Sequence, residues 1–192
     1  MEKLFHFDAP REKYQCDAAV VWCFDNRFEA GFRKFLKRIG VYNSDPIKIA
    51  GGAKCLASPD HEVDREFVLE QIRKSMWLHG ASRVILMLHS DCGAYGGLAG
   101  GFGGDAGAER EHHRSEMEKA KASLTAAITG VRVEGYFVDF EGAGHFAWTD
   151  LNPTYQTSIS SYCKAFLDKY LKSDRTANLT QKRPDIADLR GK

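Results

Sequence analysis

The sequence predicts an α/β fold on a mostly parallel sheet, and three observations carry that expectation. Ala18-Ala19-Val20-Val21-Trp22-Cys23 is a short, unbroken apolar run. Arg83-Val84-Ile85-Leu86-Met87-Leu88 is a second. Runs of this kind, rich in β-branched residues, form strands buried on both faces, as in a parallel sheet. Thirdly, segments with helical spacing separate the strand candidates, which is the alternation of a βαβ chain.

The elements follow in order. After the first strand, apolar residues recur at Phe28, Phe32, Phe35, Leu36 and Ile39, with basic residues between them, and Gly40 stops the pattern. This predicts a helix over 28–39. Pro46 to Ala50 is a short strand candidate ended by Gly51-Gly52. A helix over 65–79 carries Phe67, Val68, Ile72, Met76 and Trp77 on its apolar side and closes at Gly80. The strand at 83–88 runs directly into His89. Gly93 to Gly107 reads as a glycine-rich loop, a flexible flap or interface segment. It contains Gly101-x-Gly103-x-x-Ala106, which does not leave a strand and so is a poor dinucleotide fingerprint. Ala108 to Ile128 reads as an exposed, charged helix with His112 and His113 near its start, on a solvated face or, alternatively, as a proton shuttle. His145 is a further histidine that nothing in the sequence places in a site. Gly130 then leads to a strand at 131–140. A last helical stretch is expected near 158–171. The aromatic stripe Trp148, Tyr155, Tyr162, Phe166 and Tyr170 is expected in a core or a dimer interface. Residues 173–192 turn polar and read as a C-terminal arm. With no internal repeat or linker, residues 1–192 are read as a single α/β domain.

Bulk properties exclude several classes of function. Of 192 residues, 43% are hydrophobic and 28% charged, the balance of an ordinary globular protein. A formal net charge of +1 gives no field to attract nucleic acid or an anionic membrane. No apolar run approaches the roughly 18 residues needed to span a bilayer. Met1 to Lys13 has no apolar signal-peptide core, so the expected location is the cytoplasm. The five cysteines are an odd count without a secretion signal, which argues for metal binding, catalysis or burial rather than a disulfide framework. Cys16, Cys55 and Cys163 lack a second ligand-type residue at useful spacing and are expected to be buried.

Chemistry gathers at two strand ends. Cys23-Phe24-Asp25-Asn26-Arg27 leaves the first strand, and His89-Ser90-Asp91-Cys92-Gly93 leaves the third. In open α/β sheets, ligands collect beyond the carboxyl ends of the strands. If these two strands are neighbours, Cys23, His89 and Cys92 converge. Two thiolates and an imidazole suit tetrahedral zinc, and three protein ligands leave a fourth position open, as catalytic sites do. Asp25 either fills that position or pairs with Arg27 and accepts a hydrogen bond from zinc-bound water, whose pKa the metal brings near 7. Asp91 is either an acceptor behind the ligands or a solvated loop carboxylate. Gly93 is expected to spare the metal a crowding Cβ.

Cys23-x-Asp25-x-Arg27 followed by His89-x-x-Cys92-Gly93 resembles the signature of the β-class carbonic anhydrases. The match runs from about Val20 to Gly97, with a weaker echo at Val133 to Gly144. The resemblance implies a four- to five-stranded, mostly parallel sheet in the order 2-1-3-4, flanked by helices. It implies hydration of carbon dioxide to bicarbonate by a zinc-bound hydroxide, with Cys23, His89 and Cys92 as zinc ligands and Asp25 and Arg27 as a gating dyad. A homodimer, or a dimer of dimers, with its pocket near the subunit interface is implied as well. Related members of that family hydrolyse carbon disulfide or carbonyl sulfide. A zinc-binding homologue without hydration activity, acting as a sensor or interaction module, is the other alternative. The chain departs from the family pattern where Phe28 to Ile39 reads as helix. It departs again where Ile49-Ala50-Gly51-Gly52 replaces the usual Arg-Asn-Ala-Gly.

Overall fold

A computed structural model describes residues 4–145 of the chain. The helical stretch expected at 158–171, the polar arm, the aromatic stripe from Trp148 to Tyr170 and Cys163 all lie outside the described residues. The described elements are β1 (Ala18–Cys23), α1 (Glu29–Arg38), β2 (Ser44–Ile49), α2 (Lys54–Ala57) and α3 (Glu62–His79), followed by β3 (Arg83–His89), α4 (Gly97–Phe102), α5 (Ala106–Ala127), β4 (Arg132–Val138) and β5 (Ala143–His145). Single 3-10 turns cover Asn26–Phe28 and Gly93–Tyr95. The sheet order is β2-β1-β3-β4-β5. β1 to β4 run parallel, and β5 returns antiparallel along β4. This is the expected four- to five-stranded fold, with β5 extending the expected order 2-1-3-4 by one strand.

All six residues of β1 are buried, and so are six of the seven in β3. They have neighbours on both faces and both edges, which is why apolar residues run through them without alternation. β2 lies on the sheet edge, and Pro46, which has no N–H to donate, is tolerated there. α1 follows its 3.6-residue pattern and buries Phe32 and Leu36 against Ala18, Val20, Trp22, Ile85 and Met87. Phe32 stacks on the Trp22 indole with ring centroids 5.2 Å apart. Right-handed crossovers place α3 and α5 on the opposite face, where Val68, Leu69, Ile72, Met117, Ala120 and Leu124 are buried. α3 ends at Gly80, whose φ of 70° supplies the left-handed C-terminal turn. No helix among the described residues is long and apolar enough to cross a membrane.

Two expectations are corrected. Residues 93–107 are not an open loop: the 3-10 turn and α4 fill most of the segment. Its glycines make close packing possible, since a Cβ on Gly101 would stand 2.2 Å from the Tyr95 carbonyl oxygen. α5 is not an exposed helix either. Its inner stripe of Met117, Ala120 and Leu124 continues N-terminally through Glu116, His113 and Glu109, all buried.

At the N-terminal ends of β3 and β4, Arg83 grips Glu134 with two hydrogen bonds of 2.7 and 2.6 Å. Tyr136 adds a third at 2.8 Å. Burial alone would raise the Glu134 carboxyl, but hydrogen bonds from Arg83 and Tyr136 outweigh it and hold the group below the usual glutamate range. A depressed folded-state pKa stabilises the protein above the unfolded value of about 4.3, and that contribution is lost as pH falls through the folded value. Glu134→Ala, which leaves the half-buried Arg83 without this partner, is expected to cost about 3 kcal/mol near pH 7. The difference from wild type should shrink below about pH 4. Urea denaturation at several pH values checks this, and a difference independent of pH would refute it.

Candidate metal centre

The site is assembled by register. Cys23 is the last residue of β1 and His89 the last of β3, and the two strands are direct neighbours. Three residues beyond His89, Cys92 opens the 3-10 turn at Gly93–Tyr95. The ligand-type atoms of Cys23, His89 and Cys92 all lie within 4.8 Å of one another. The three residues are 4%, 1% and 2% exposed, so all three donors are buried. The three side chains singled out in the sequence therefore meet.

The donor set fits a borderline-soft metal, and the histidine supplies a direct test. His89 Nδ1 lies 2.8 Å from the Ser90 carbonyl oxygen, so this nitrogen carries the proton and donates. That leaves the Nε2 lone pair buried beside the Cys23 sulfur, without a well-formed hydrogen bond among the described residues. A buried acceptor normally finds a partner because leaving it bare costs about 1–3 kcal/mol. A metal on Nε2 removes that cost, and the Nδ1–H···O=C contact is the arrangement that fixes the tautomer of a ligating imidazole. The Cys23 thiol is pulled far below its ordinary range. The hydrogen bond from Cys92 is the largest cause, and backbone amides of Asp25 and Gly51 also favour the thiolate.

Beside the triad lies an ion network. Both Asp25 oxygens accept from Arg27: Nε lies 3.1 and 3.0 Å away and Nη2 2.6 Å away. Asp25 Oδ1 also accepts the Arg27 backbone N–H at 3.0 Å, which caps the N-terminus of the 3-10 turn. The Arg27 hydrogen bonds hold the Asp25 carboxyl down to about 2. On its other side Arg27 donates from Nη1 to Asp91 Oδ2 at 2.8 Å and from Nη2 to the Asp91 carbonyl at 3.0 Å. Its guanidinium carbon lies 5.8 Å from the Phe28 ring centroid and 5.3 Å from that of Phe140. Asp25 and Arg27 are thus paired, and Asp91, whose side chain keeps 38% exposure, accepts from Arg27 and from the Leu98 N–H.

Other expected residues fall elsewhere. His112 is exposed on α5, but His113 is fully buried, packed on Tyr95, Phe102 and Phe137. Neither His113 ring nitrogen has a hydrogen-bond partner among the described residues, and burial pulls its pKa down to about 4. A solvated face is therefore the wrong reading of His113, and it offers no proton path to solvent. His145 ends β5, opposite Tyr136. A Cβ on Gly93 would meet no described atom within 4 Å; the tight positions are Gly52 and Gly101. Cys16 is buried as expected, and Cys55 is half-buried. The sequence reading missed Glu109 and Glu116. Extending the Met117–Leu124 stripe backward at helical spacing would have found both.

A family model described as putative carbonic anhydrase matches residues 13–146, and the chain belongs to that family. No curated protein matches. Among solved structures, β-carbonic anhydrase isoform I of Trichomonas vaginalis is 14% identical, covers 73% of this chain and 87% of its own, and superposes with a TM-score of 0.50. A carbonic anhydrase from Streptococcus mutans is 16% identical, covering 70% and 84%, with a TM-score of 0.47. One from Glaciozyma antarctica is 18% identical, covering 70% and 84%, with a TM-score of 0.46.

Gly52 couples the backbone to this centre. Its φ is +55°, and a Cβ there would lie 2.5 Å from the Met87 carbonyl oxygen and 3.0 Å from the Cys23 nitrogen. Gly52→Ala is expected to lose about 2 kcal/mol or more of stability and, because Cys23 must shift, to lower the affinity of the Cys–His–Cys group for an added divalent metal. Urea melts and competition with a chromophoric chelator measure both effects. An unchanged melting midpoint would show that the turn yields without moving the strand.

Proposed function

We propose that this chain holds zinc on Cys23, His89 and Cys92 and hydrates carbon dioxide to bicarbonate. The observation that carries the reading is the buried Cys–His–Cys group with a bare His89 Nε2, set against the Asp25–Arg27 pair, in a carbonic anhydrase family member. When bound, zinc supplies the Lewis acidity that makes water a competent nucleophile near neutral pH.

The chain's own residues do the rest. Asp25 is a fixed acceptor because Arg27 grips both its oxygens. In this reading it accepts a hydrogen bond from the attacking water and so turns a lone pair toward the substrate carbon. Phe28 lies 4.9 Å from the His89 ring and 5.1 Å from Phe140, an apolar wall suited to a small, uncharged, linear molecule. One C–O bond forms, one C=O π bond opens onto oxygen, and the water's proton leaves to buffer, giving bicarbonate. A homodimer or dimer of dimers belongs to the same reading, and α3 carries the exposed apolar residues Val63, Phe67 and Trp77 that such contacts would cover.

Stopped-flow hydration with a pH indicator, on protein of known zinc content, tests the proposal. Wild type is expected to hold one zinc per chain and turn over. Cys23→Ser, His89→Ala and Cys92→Ser should each lose both metal and activity. Asp25→Ala should keep zinc and lose about 100-fold or more in kcat, the usual scale for a positioned acid–base group. Zinc bound at full occupancy without turnover would discard the reaction.

A further inference from the structure

Glu109 is 1% exposed on the inner stripe of α5, a position that Met or Leu would ordinarily fill. Its Oε1 accepts the backbone N–H of Asp91 at 2.6 Å. Asp91 has a φ of +53°, and it is the one non-glycine residue in the left-handed region among those described. This conformation carries a cost for a residue with a Cβ and persists only where neighbours over-determine it. Here they do. Glu109 holds the Asp91 N–H, the Leu98 N–H donates to Oδ1 at 2.9 Å, and Arg27 donates to Oδ2 and to the carbonyl oxygen. The left-handed turn is what lets Asp91 present its carbonyl and its carboxylate to one guanidinium together. Glu109 is the anchor that comes from a long, packed helix rather than from the site's own loops.

We propose that Glu109 is a positioning residue. It fixes the Asp91 peptide, Asp91 fixes Arg27, and Arg27 fixes Asp25, so a carboxylate on α5 sets the acceptor beside the Cys–His–Cys group. The catalytic consequence rests on the function proposed above, whereas the placement of Arg27 does not. A buried carboxylate makes a stronger bond to a peptide N–H than a neutral group does, which suits a contact that must hold a strained turn. The role needs an acceptor at Oε1 but no proton transfer, so glutamine is expected to serve nearly as well as glutamate.

Three substitutions in the full-length zinc-loaded chain test this: Glu109→Gln, Glu109→Leu and Glu109→Met. Zinc per chain, the Arg27 Nε–H resonance in nitrogen-15 spectra (assigned with Arg27→Lys) and the kinetics of carbon dioxide hydration are read for each. Glu109→Leu is expected to keep its zinc, to move the Arg27 resonance toward that of a free solvated arginine, and to lower kcat about 10–100-fold with KM little changed. Glu109→Gln should restore both signals. Glu109→Met keeps an unbranched stem without an acceptor, so it gives the same answer even if the leucine variant packs poorly. An unmoved Arg27 resonance in both apolar variants would overturn the proposal, as would a glutamine variant as impaired as they are. A moved resonance in a protein whose wild type shows no hydration would overturn the proposed function and uphold the positioning role.

Discussion

The parallel pairing of β1 with β3 is the constraint on which the rest of the molecule depends. Ala19, Val20 and Val21 stand opposite Val84, Ile85 and Leu86, and from that register the strands run on to Cys23 and His89. A one-residue slip would turn every side chain to the other face and separate the sulfur from the imidazole. What prevents the slip is burial on both sides. Trp22, Ile85 and Met87 pack with α1 residues on one face, and Val84, Leu86 and Leu88 are sealed on the other. A metal triad needs its donors held to fractions of an ångström, and strand ends fixed by a two-sided core provide that better than loops would.

Arg27 extends the same logic from backbone to side chain. Its ion pairs are partly exposed, so their Coulomb energy is screened and adds little to stability. Their value is geometric. A planar guanidinium has donors in fixed directions, and spending them on Asp25 and Asp91 ties the loop after β1 to the loop after β3. The rings of Phe28 and Phe140 lie beside it at cation–π distance. Lysine keeps the charge and loses the fork, so the two loops would be attracted without being oriented.

The legible parts of the sequence were those whose pattern has a single physical cause. β1 and β3 were readable because only strands buried on both faces tolerate such unbroken apolar runs, and α1 because its stripe and stop at Gly40 agree. The Cys23, His89 and Cys92 grouping was readable once both motifs were placed at strand ends. The strand order came from the resemblance rather than from the pattern, since pairing between distant segments leaves no local trace. β5 was not seen, because three residues paired along β4 carry no periodicity of their own. Residues 93–107 were misread because glycine usually signals freedom, whereas here the missing Cβ lets α4 close against the Tyr95 carbonyl.

The misreading of α5 has a different origin. Binary pattern assigns polar residues outward, and Glu109, His113 and Glu116 break that rule on the inner face of a helix whose other half obeys it. All three violations fall in the half of α5 nearest the site loops. Glu109 holds Asp91, while Glu116 bonds Ser58 and accepts from Tyr95 Oη at 3.2 Å. His113 packs its ring edge-on to the same tyrosine. Burying two carboxylates and a bare imidazole costs stability that Met117, Ala120 and Leu124 must offset further along the same stripe. A helix that served only the core would fill those positions with leucine. The N-terminal half of α5 is therefore better understood as the outer wall of the candidate centre, where local stability is given up so that the loops carrying Cys92, Asp91 and Tyr95 have one place to be.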